Sequence, residues 1–222
     1  MFHKVLVAED LDSISISVGQ ALKELSVSKI HHSKYCDDAL LKIKKAQLDN
    51  VPYELLVSDL SFKADSRETK LKSGEELIEA VKKIQPNIKI VVFSIEDKSF
   101  RIKSLFNNLG IDAYVSKGRE SIPELKKAIQ GIFKGDTKII SPELSNILVN
   151  KALIEIEIYD IDILKLLSLG YTLEEISCSF KTKGIIPNGT SSIEKRINKL
   201  KTYFNASNNA HLMAITKDLG LV

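Results

Sequence analysis

The chain has 222 residues, 44% of them hydrophobic and 27% charged, with a formal net charge of +3. These values are ordinary for soluble globular proteins, so they exclude disordered and fibrous classes, and the length favours two domains. Cys36 and Cys178 lie too far apart in the sequence for a disulfide framework, and no apolar run is long enough to span a membrane. We therefore expect a cytoplasmic protein that makes no contact with a membrane.

Short β-rich runs alternate with amphipathic helical patterns through the first part of the chain. Strands are predicted at 4–8, 27–31, 53–58, 88–93 and 113–116, and helices at 14–25, 37–48, 75–84, 98–109 and 122–133. Parallel strands need crossover connections, which the helices would supply. The pattern predicts an α/β domain over residues 1–134, with a five-stranded parallel sheet in flavodoxin-like order and helices on both faces.

The strand and helix alternation stops after residue 134, and only helical patterns follow. Residues 135–155 are predicted to be a linker with a short helix that Ser141 and Pro142 begin, since proline suits the first helical turn. Residues 156–222 are predicted to form a second, small, all-α domain.

Polar residues follow four of the predicted strands, and they are Glu9, Asp10, Asp59, Ser94 and Lys117. In an open parallel sheet the carboxyl ends of the strands meet at one edge, where function collects. Three carboxylates at that edge repel one another unless a cation joins them, and an all-oxygen cluster suits Mg²⁺. The serine hydroxyl and the lysine charge suit an oxyanion such as a phosphoryl group.

These residues, in their strand contexts, resemble the receiver domains of two-component response regulators over roughly residues 3 to 134. The resemblance implies that Asp59 is the phosphoacceptor and that a sensor histidine kinase supplies the phosphoryl group. It implies Mg²⁺ as the cofactor, bound by Glu9, Asp10 and Asp59 with a backbone carbonyl near Ser61. Lys117 would pair with the phosphoryl oxygens.

The same resemblance implies a switch. Ser94 would move to hydrogen-bond the phosphoryl group while Tyr114 turns inward. Two features depart from the family pattern: residues 61–73 form a longer loop than is usual, and Gly118 follows Lys117 where the family commonly has proline.

The second domain has the pattern of a helix-turn-helix. A helix over 159–169 ends at Gly170, Thr172 and Glu175 form a capping box for the next helix, and a third helix begins between 190 and 192. Four residues of the third helix fall on one apolar face: Ile193, Ile197, Leu200 and Phe204. Its other side presents Ser192, Lys195 and Lys199, with Arg196 at the margin.

Basic residues concentrate around the third helix, which contains Glu194 as its acidic residue. Such a face suits a phosphate backbone, although an ordinary solvated helix has the same composition. Residues 156–222 resemble the output domains of the NarL/FixJ branch, also called LuxR-type. The motifs that match are 163–167 leading to Gly170, 175–177, 192–197, and 214–215 with 220–221.

The NarL/FixJ resemblance implies binding to double-stranded DNA through Ser192, Lys195, Arg196 and Lys199, and a homodimer on phosphorylation. Residues 181–189 insert several positions where the family has a tight turn. One alternative is therefore a receiver whose helical domain binds a protein partner.

A second alternative is a phosphatase of the haloacid dehalogenase type, which also uses an aspartate nucleophile and Mg²⁺. That chemistry needs a second aspartate two residues after the nucleophile, where this chain has Ser61. We expect no enzyme activity beyond phosphorylation and dephosphorylation of Asp59 itself.

Overall fold

A computed structural model describes residues 1–63, 69–145 and 156–222. The described residues form two compact units, the first within residues 1–145 and the second built on residues 156–222. In this part of the chain no helix is both long enough and apolar enough to cross a membrane.

The first unit contains a parallel sheet. Its strands are β1 (Lys4–Ala8), β2 (Lys29–Ser33), β3 (Leu55–Ser58), β4 (Lys89–Ser94), β5 (Ala113–Ser116) and β6 (Ile139–Ile140). Their order is β2-β1-β3-β4-β5-β6, and every neighbouring pair is parallel. The predicted five-stranded sheet in flavodoxin-like order is confirmed, and a short sixth strand extends it.

Helices cover both faces of the sheet. They are α1 (Asp12–Glu24), α2 (Cys36–Leu48), α3 (Gly74–Ile84), α4 (Ser99–Asn108) and α5 (Ser121–Lys134). Alternate strand residues such as Val5, Val57 and Val91 pack against α1 and α5 in one buried cluster. Their neighbours Leu6 and Leu56, which are also fully buried, point to the opposite face because side chains alternate along a strand.

Strand β2 begins two residues later than its predicted start at position 27. The backbone N–H of Val27 donates to the carbonyl of Leu22, so Val27 is still hydrogen-bonded to the last turn of α1. Ser26, just before it, has a φ of 58°, which turns the chain out of the helix. Val27 is apolar because it packs in the same buried cluster as residues of α1, and not because it lies in a strand.

The described part of the predicted linker belongs to the first unit. Ile139 and Ile140 pair with Ala113 and Tyr114 of β5, and a single 3₁₀ turn follows at Pro142–Leu144. The buried side chain of Ser141 accepts a hydrogen bond from the backbone N–H of Ser116 at 3.0 Å. Of the predicted short helix, the described residues include one 3₁₀ turn, and residues 146–155 lie outside them.

The second unit consists of four described helices. They are α6 (Ile158–Ser168), α7 (Leu173–Thr182), α8 (Thr190–Tyr203) and α9 (Asn209–Asp218). Side chains from all four form one apolar core that includes Ile163, Phe180, Ile197 and Leu212. Gly170 has a φ of 85°, the left-handed conformation expected at the end of a helix.

The predicted capping box begins α7. Thr172 accepts a hydrogen bond from the backbone N–H of Glu175 at 3.3 Å, and the Glu175 carboxylate accepts one from the backbone N–H of Thr172 at 2.8 Å. Both backbone donors at the start of α7 are therefore satisfied.

Candidate functional sites

Three carboxylates meet at the carboxyl edge of the sheet. Glu9 and Asp10 follow β1, Asp59 follows β3, and β1 and β3 are neighbours. One ligand oxygen from each of the three lies within 4.8 Å of the others. Glu9 is 3% exposed and Asp59 6% exposed, so two of the three charges are largely shielded from water.

Lys117 lies between two of these carboxylates. Its Nζ is 2.8 Å from Glu9 Oε2 and 2.6 Å from Asp59 Oδ2, and its side chain is 9% exposed. Burial raises the pKa of Glu9, and the hydrogen bond from Lys117 partly opposes this increase. One lysine thus faces three carboxylates, which leaves the cluster short of positive charge.

The cluster fits a small hard cation. Its donors are all oxygen atoms, which Mg²⁺ prefers, and it carries more negative than positive charge. Backbone N–H groups donate to all three carboxylates. Glu9 Oε1 accepts from Leu11 at 3.2 Å, Asp59 Oδ1 from Leu60 at 2.6 Å, and Asp10 Oδ2 from Lys63 at 3.0 Å. The structure therefore brings together the predicted metal ligands.

Ser94 lies at the end of β4 and is fully buried. Among the described residues its hydroxyl oxygen has no hydrogen-bond partner. An unsatisfied buried hydroxyl costs about 1–3 kcal/mol, so it needs an explanation. The backbone N–H of Lys117 donates to the Ser94 carbonyl at 2.9 Å, which ties the ends of β4 and β5 together. The hydroxyl of Ser94 can donate to an oxyanion bound at this edge.

Tyr114 is fully buried within β5, and its hydroxyl donates to the carbonyl of Glu96 at 2.5 Å. Tyr114 thus lies inward in this structure, and its movement on phosphorylation stays a prediction. Its hydrogen bond connects β5 to the loop after β4, the loop that also follows Ser94.

The longer loop over residues 61–73 is closed at its base. Ser61 and Ser73 form an antiparallel bridge, and the Asp37 carboxylate accepts hydrogen bonds from the backbone N–H groups of Lys70 at 2.8 Å and Leu71 at 3.2 Å. Residues 64–68 of this loop lie outside the described residues.

Gly74 explains how α3 can begin directly against the backbone of Asp59. A Cβ at Gly74 would lie 1.9 Å from the backbone carbonyl oxygen of Asp59, closer than any side chain allows. The backbone N–H of Gly74 donates to the carbonyl of Leu60 at 2.9 Å. Neither this approach nor the contact from Lys63 to Asp10 was predicted from the sequence, because each depends on the path of the loop.

In the second unit, α8 separates an apolar face from a polar one. Ile193, Ile197 and Leu200 are buried as predicted. On the other side Ser192, Lys195 and Lys199 are exposed. Three of the four residues predicted to contact DNA therefore share one accessible face.

Arg196 differs from those three. Its Nη2 lies 2.6 Å from Asp160 Oδ2, and its Nε also donates to Asp160 Oδ1, which makes the pair bidentate. Asp160 is 1% exposed, and its hydrogen bond with Arg196 raises the pKa of the guanidinium. The structure thus places Arg196 in an ion pair between α6 and α8 instead of on the exposed face. The position of Arg196 at the margin of the polar face of α8 could not reveal that Asp160 is its partner.

An open groove of about 500 Å³ runs beside α8, and another groove, of about 450 Å³, lies between α5 and β6 in the first unit. The groove beside α8 is lined by Tyr159, Ile186 and Pro187 together with the exposed lysines Lys195 and Lys199. The sequence did not predict Tyr159 and the inserted segment as part of this surface. The available signal for this surface was an apolar residue, Ile186, next to a proline within the inserted segment.

Residues 124–219, less than half of the chain, match a family of unknown function, DUF5932. No curated protein matches the chain. Solved structures do match it along nearly its whole length. The RcsB response regulator of Salmonella typhimurium matches with a TM-score of 0.68 and 19% identity, over 97% of this chain and 99% of that chain.

Two further structures of RcsB give similar values. Two RcsB dimers bound to two parallel DNAs match with a TM-score of 0.65 and 18% identity, over 98% of each chain. RcsB from Salmonella enterica serovar Typhimurium, bound to promoter rprA in the presence of the phosphomimetic BeF3⁻, matches with a TM-score of 0.63 and 20% identity, over 95% of this chain and 96% of that chain.

The chain has the fold of a two-domain response regulator. Within this response-regulator fold, the acidic cluster and Lys117 lie at the carboxyl edge of the receiver sheet. The exposed lysines lie on the third helix of the output unit.

Proposed function

We propose that the chain is a two-component response regulator of the NarL/FixJ branch, in which phosphorylation of Asp59 by a sensor histidine kinase controls DNA binding. The observation that carries the proposal is the position of Asp59, which shares a cluster with Glu9 and Asp10 and is bonded to Lys117. The unpartnered hydroxyl of Ser94 supports the same reading.

In the proposed chemistry, a carboxylate oxygen of Asp59 forms a bond to the phosphorus of the donor. The bond between phosphorus and the donor breaks, and its electron pair leaves with the donor atom. Lys117 exchanges part of its contact with Glu9 and Asp59 for the new phosphoryl oxygens. The Ser94 hydroxyl then donates a hydrogen bond to one of these oxygens, which satisfies the buried group.

Glu9, Asp10 and Asp59 would hold Mg²⁺, since their oxygens form a compact cluster with excess negative charge. When bound, the ion would neutralise charge on the transferred phosphoryl group. The residues of the chain itself position the nucleophile: Leu60 donates its N–H to Asp59 Oδ1, and Gly74 allows α3 to approach closely behind it.

The second unit is proposed to bind double-stranded DNA through Ser192, Lys195 and Lys199. Their exposure on one face of α8 supports this, because lysines on an accessible helix can neutralise phosphates. Arg196 would act indirectly by holding α8 against α6 through Asp160. RcsB, which shares the fold, has been solved in complexes with DNA.

Phosphorylation is proposed to favour a homodimer. A single output unit can contact one half-site, whereas a two-fold dimer contacts two at a fixed spacing. One of the similar structures is described as RcsB dimers on DNA. Light scattering with and without beryllofluoride tests this step, and an unchanged mass for a monomeric protein would contradict it.

We propose that the chain is not an enzyme apart from the turnover of its own aspartyl phosphate. A phosphatase of the haloacid dehalogenase type would need an acid two residues after the nucleophile. Ser61 occupies that position, and it pairs through its backbone with Ser73. A serine hydroxyl is a much weaker general acid than a carboxylic acid, so it is a poor proton donor to a leaving group at neutral pH.

Intact mass spectrometry after incubation with acetyl phosphate and Mg²⁺ tests the receiver chemistry. We expect the addition of one phosphoryl group to the wild-type chain and none to Asp59→Asn. Asp12→Asn is the matched control, since Asp12 is an exposed aspartate at the start of α1. Phosphorylation that persists in Asp59→Asn at wild-type stoichiometry would refute the assignment.

A further inference from the structure

The inserted segment between α7 and α8 is held in place by side chains of the helices around it. The Tyr159 hydroxyl of α6 donates to the carbonyl of Pro187 at 2.6 Å, and the buried Ser177 hydroxyl of α7 donates to the carbonyl of Asn188 at 2.6 Å. Within the segment, Asn188 Nδ2 donates to the carbonyl of Ile185 at 3.1 Å. Hydrogen bonds to two helices therefore define where the segment lies.

Two adjacent isoleucines of this segment have opposite environments. Ile185 packs against the core of the second unit, whereas Ile186 is 80% exposed. A single exposed isoleucine is common on protein surfaces. Ile186 is unusual because its neighbours on both sides are anchored, so the apolar side chain is presented at a defined position.

Ile186 lines the same groove as the lysines of α8. Tyr159, Ile186 and Pro187 supply apolar surface, and Lys195 and Lys199 supply positive charge. Glu157 also borders the groove, but its side chain is 70% exposed and its carboxylate lies 3.4 Å from Arg196, so water and the guanidinium screen its charge. The groove therefore combines an apolar wall with two lysines.

This combination matches the backbone of a nucleic acid strand, whose phosphates are anionic and whose sugar edges are largely apolar. We propose that the groove receives one strand of duplex DNA, with phosphates at Lys195 and Lys199 and the sugar edge against Ile186. The inserted segment is then a second DNA-contacting element beside α8. This inference rests on the proposed function, since it requires that the second unit binds DNA.

The two kinds of contact have different signatures in a titration with salt. Loss of a lysine that neutralises a phosphate lowers the slope of log K against log salt by about 0.9. Loss of an apolar contact weakens binding but releases no counterion, so the slope stays the same. Ile186→Ala and Lys199→Ala should therefore differ in slope as well as in affinity.

Fluorescence anisotropy of the full chain tests this, with a labelled duplex recovered from a random-sequence pool by binding to the wild-type protein. We expect Ile186→Ala to weaken binding about tenfold with an unchanged salt slope, as the loss of buried apolar surface predicts. The control is Ile158→Ala, since Ile158 is 78% exposed in the same unit and does not line the groove. Its affinity should equal that of the wild type.

A second variant adds charge at the same position. If a strand lies in the groove, Ile186→Lys should raise the salt slope by about 0.9, since a new cation would meet a phosphate. An unchanged slope in Ile186→Lys, or wild-type affinity in Ile186→Ala, would overturn the inference even while Lys199→Ala weakens binding. Equal losses in Ile186→Ala and Ile158→Ala would also overturn it.

Failure of the proposed function looks different. In that case the pool yields no duplex that the wild-type chain binds, so there is no affinity for the substitutions to alter. That result removes both proposals and moves a protein partner ahead as the ligand of the second unit.

Discussion

Each unit of the molecule contains a shielded ion pair, and the two pairs differ in charge balance. In the receiver, Lys117 faces the carboxylates of Glu9 and Asp59, and Asp10 lies within the same cluster. In the output unit, Arg196 forms a bidentate pair with the almost fully buried Asp160. The first cluster has an excess of negative charge, whereas Arg196 and Asp160 carry one charge of each sign. The other acidic side chain near Arg196, that of Glu157, is 70% exposed to water.

This difference predicts a binding site at the first cluster and a structural contact at the second pair. A balanced and fully hydrogen-bonded pair needs no further ligand, and breaking it leaves an uncompensated charge in the interior. An unbalanced cluster favours a cation and can exchange its existing lysine contacts for an incoming anion. Lys117 and Arg196 are both predicted site residues, yet the arrangement of their partners gives them different tasks.

The largest effect should follow from breaking the balanced pair. Asp160→Ala leaves the Arg196 guanidinium without its buried partner and removes the hydrogen bond from the backbone N–H of Glu157. We expect it to lower the free energy of unfolding of the output unit by about 3 kcal/mol, measured by calorimetry. Asp162→Ala, a change on the same helix at a less buried position, should alter it by less than about 0.5 kcal/mol.

Breaking the unbalanced cluster should have a smaller effect that a cation can reverse. Lys117→Ala leaves Glu9 and Asp59 without their shared lysine, so we expect the receiver to lose about 2 kcal/mol in the absence of Mg²⁺. Added Mg²⁺ should recover much of that loss. Lys126→Ala, which breaks a more exposed pair with Glu24, should cost less than about 1 kcal/mol and show no such recovery. A loss in Lys117→Ala that Mg²⁺ cannot reduce would argue against a cation site.

Mg²⁺ alone should stabilise the wild-type receiver. At a concentration about ten times its Kd, the ion adds about 1.4 kcal/mol to the free energy of unfolding, and a chelator removes it. Asp10→Asn removes one charge of the cluster and should greatly reduce the effect. The transition of the output unit serves as the internal control, because its balanced pair offers no site for the ion.

The smallest effects on stability are expected at the exposed lysines of α8. Lys195→Ala and Lys199→Ala should each change the free energy of unfolding by less than about 0.5 kcal/mol. Each should nevertheless lower the salt slope of DNA binding by about 0.9, provided that the lysine meets a phosphate. Circular dichroism checks the fold, and unchanged binding in a folded double variant would contradict the assignment of α8.

Much of the receiver could be predicted because its signals are local. Alternation of apolar residues defined the strands, and the position of Asp59, Ser94 and Lys117 after successive strands placed them at one edge. The prediction was least accurate at β2 and β6. At β2, Val27 is hydrogen-bonded to the last turn of α1 and is not part of the strand. At β6, two residues are too few to show a periodic pattern.

Sequence by itself determined the order of the elements, the five receiver positions and the apolar face of α8, since each depends on spacing along the chain. Tertiary structure alone decided that Arg196 pairs with Asp160 and that the backbone N–H of Lys63 donates to Asp10. It also decided that Ile186 lies beside the lysines of α8. These are contacts between residues distant in the sequence or on irregular loops. Their distances depend on how helices and loops pack, and the chemistry of a single position does not encode that packing.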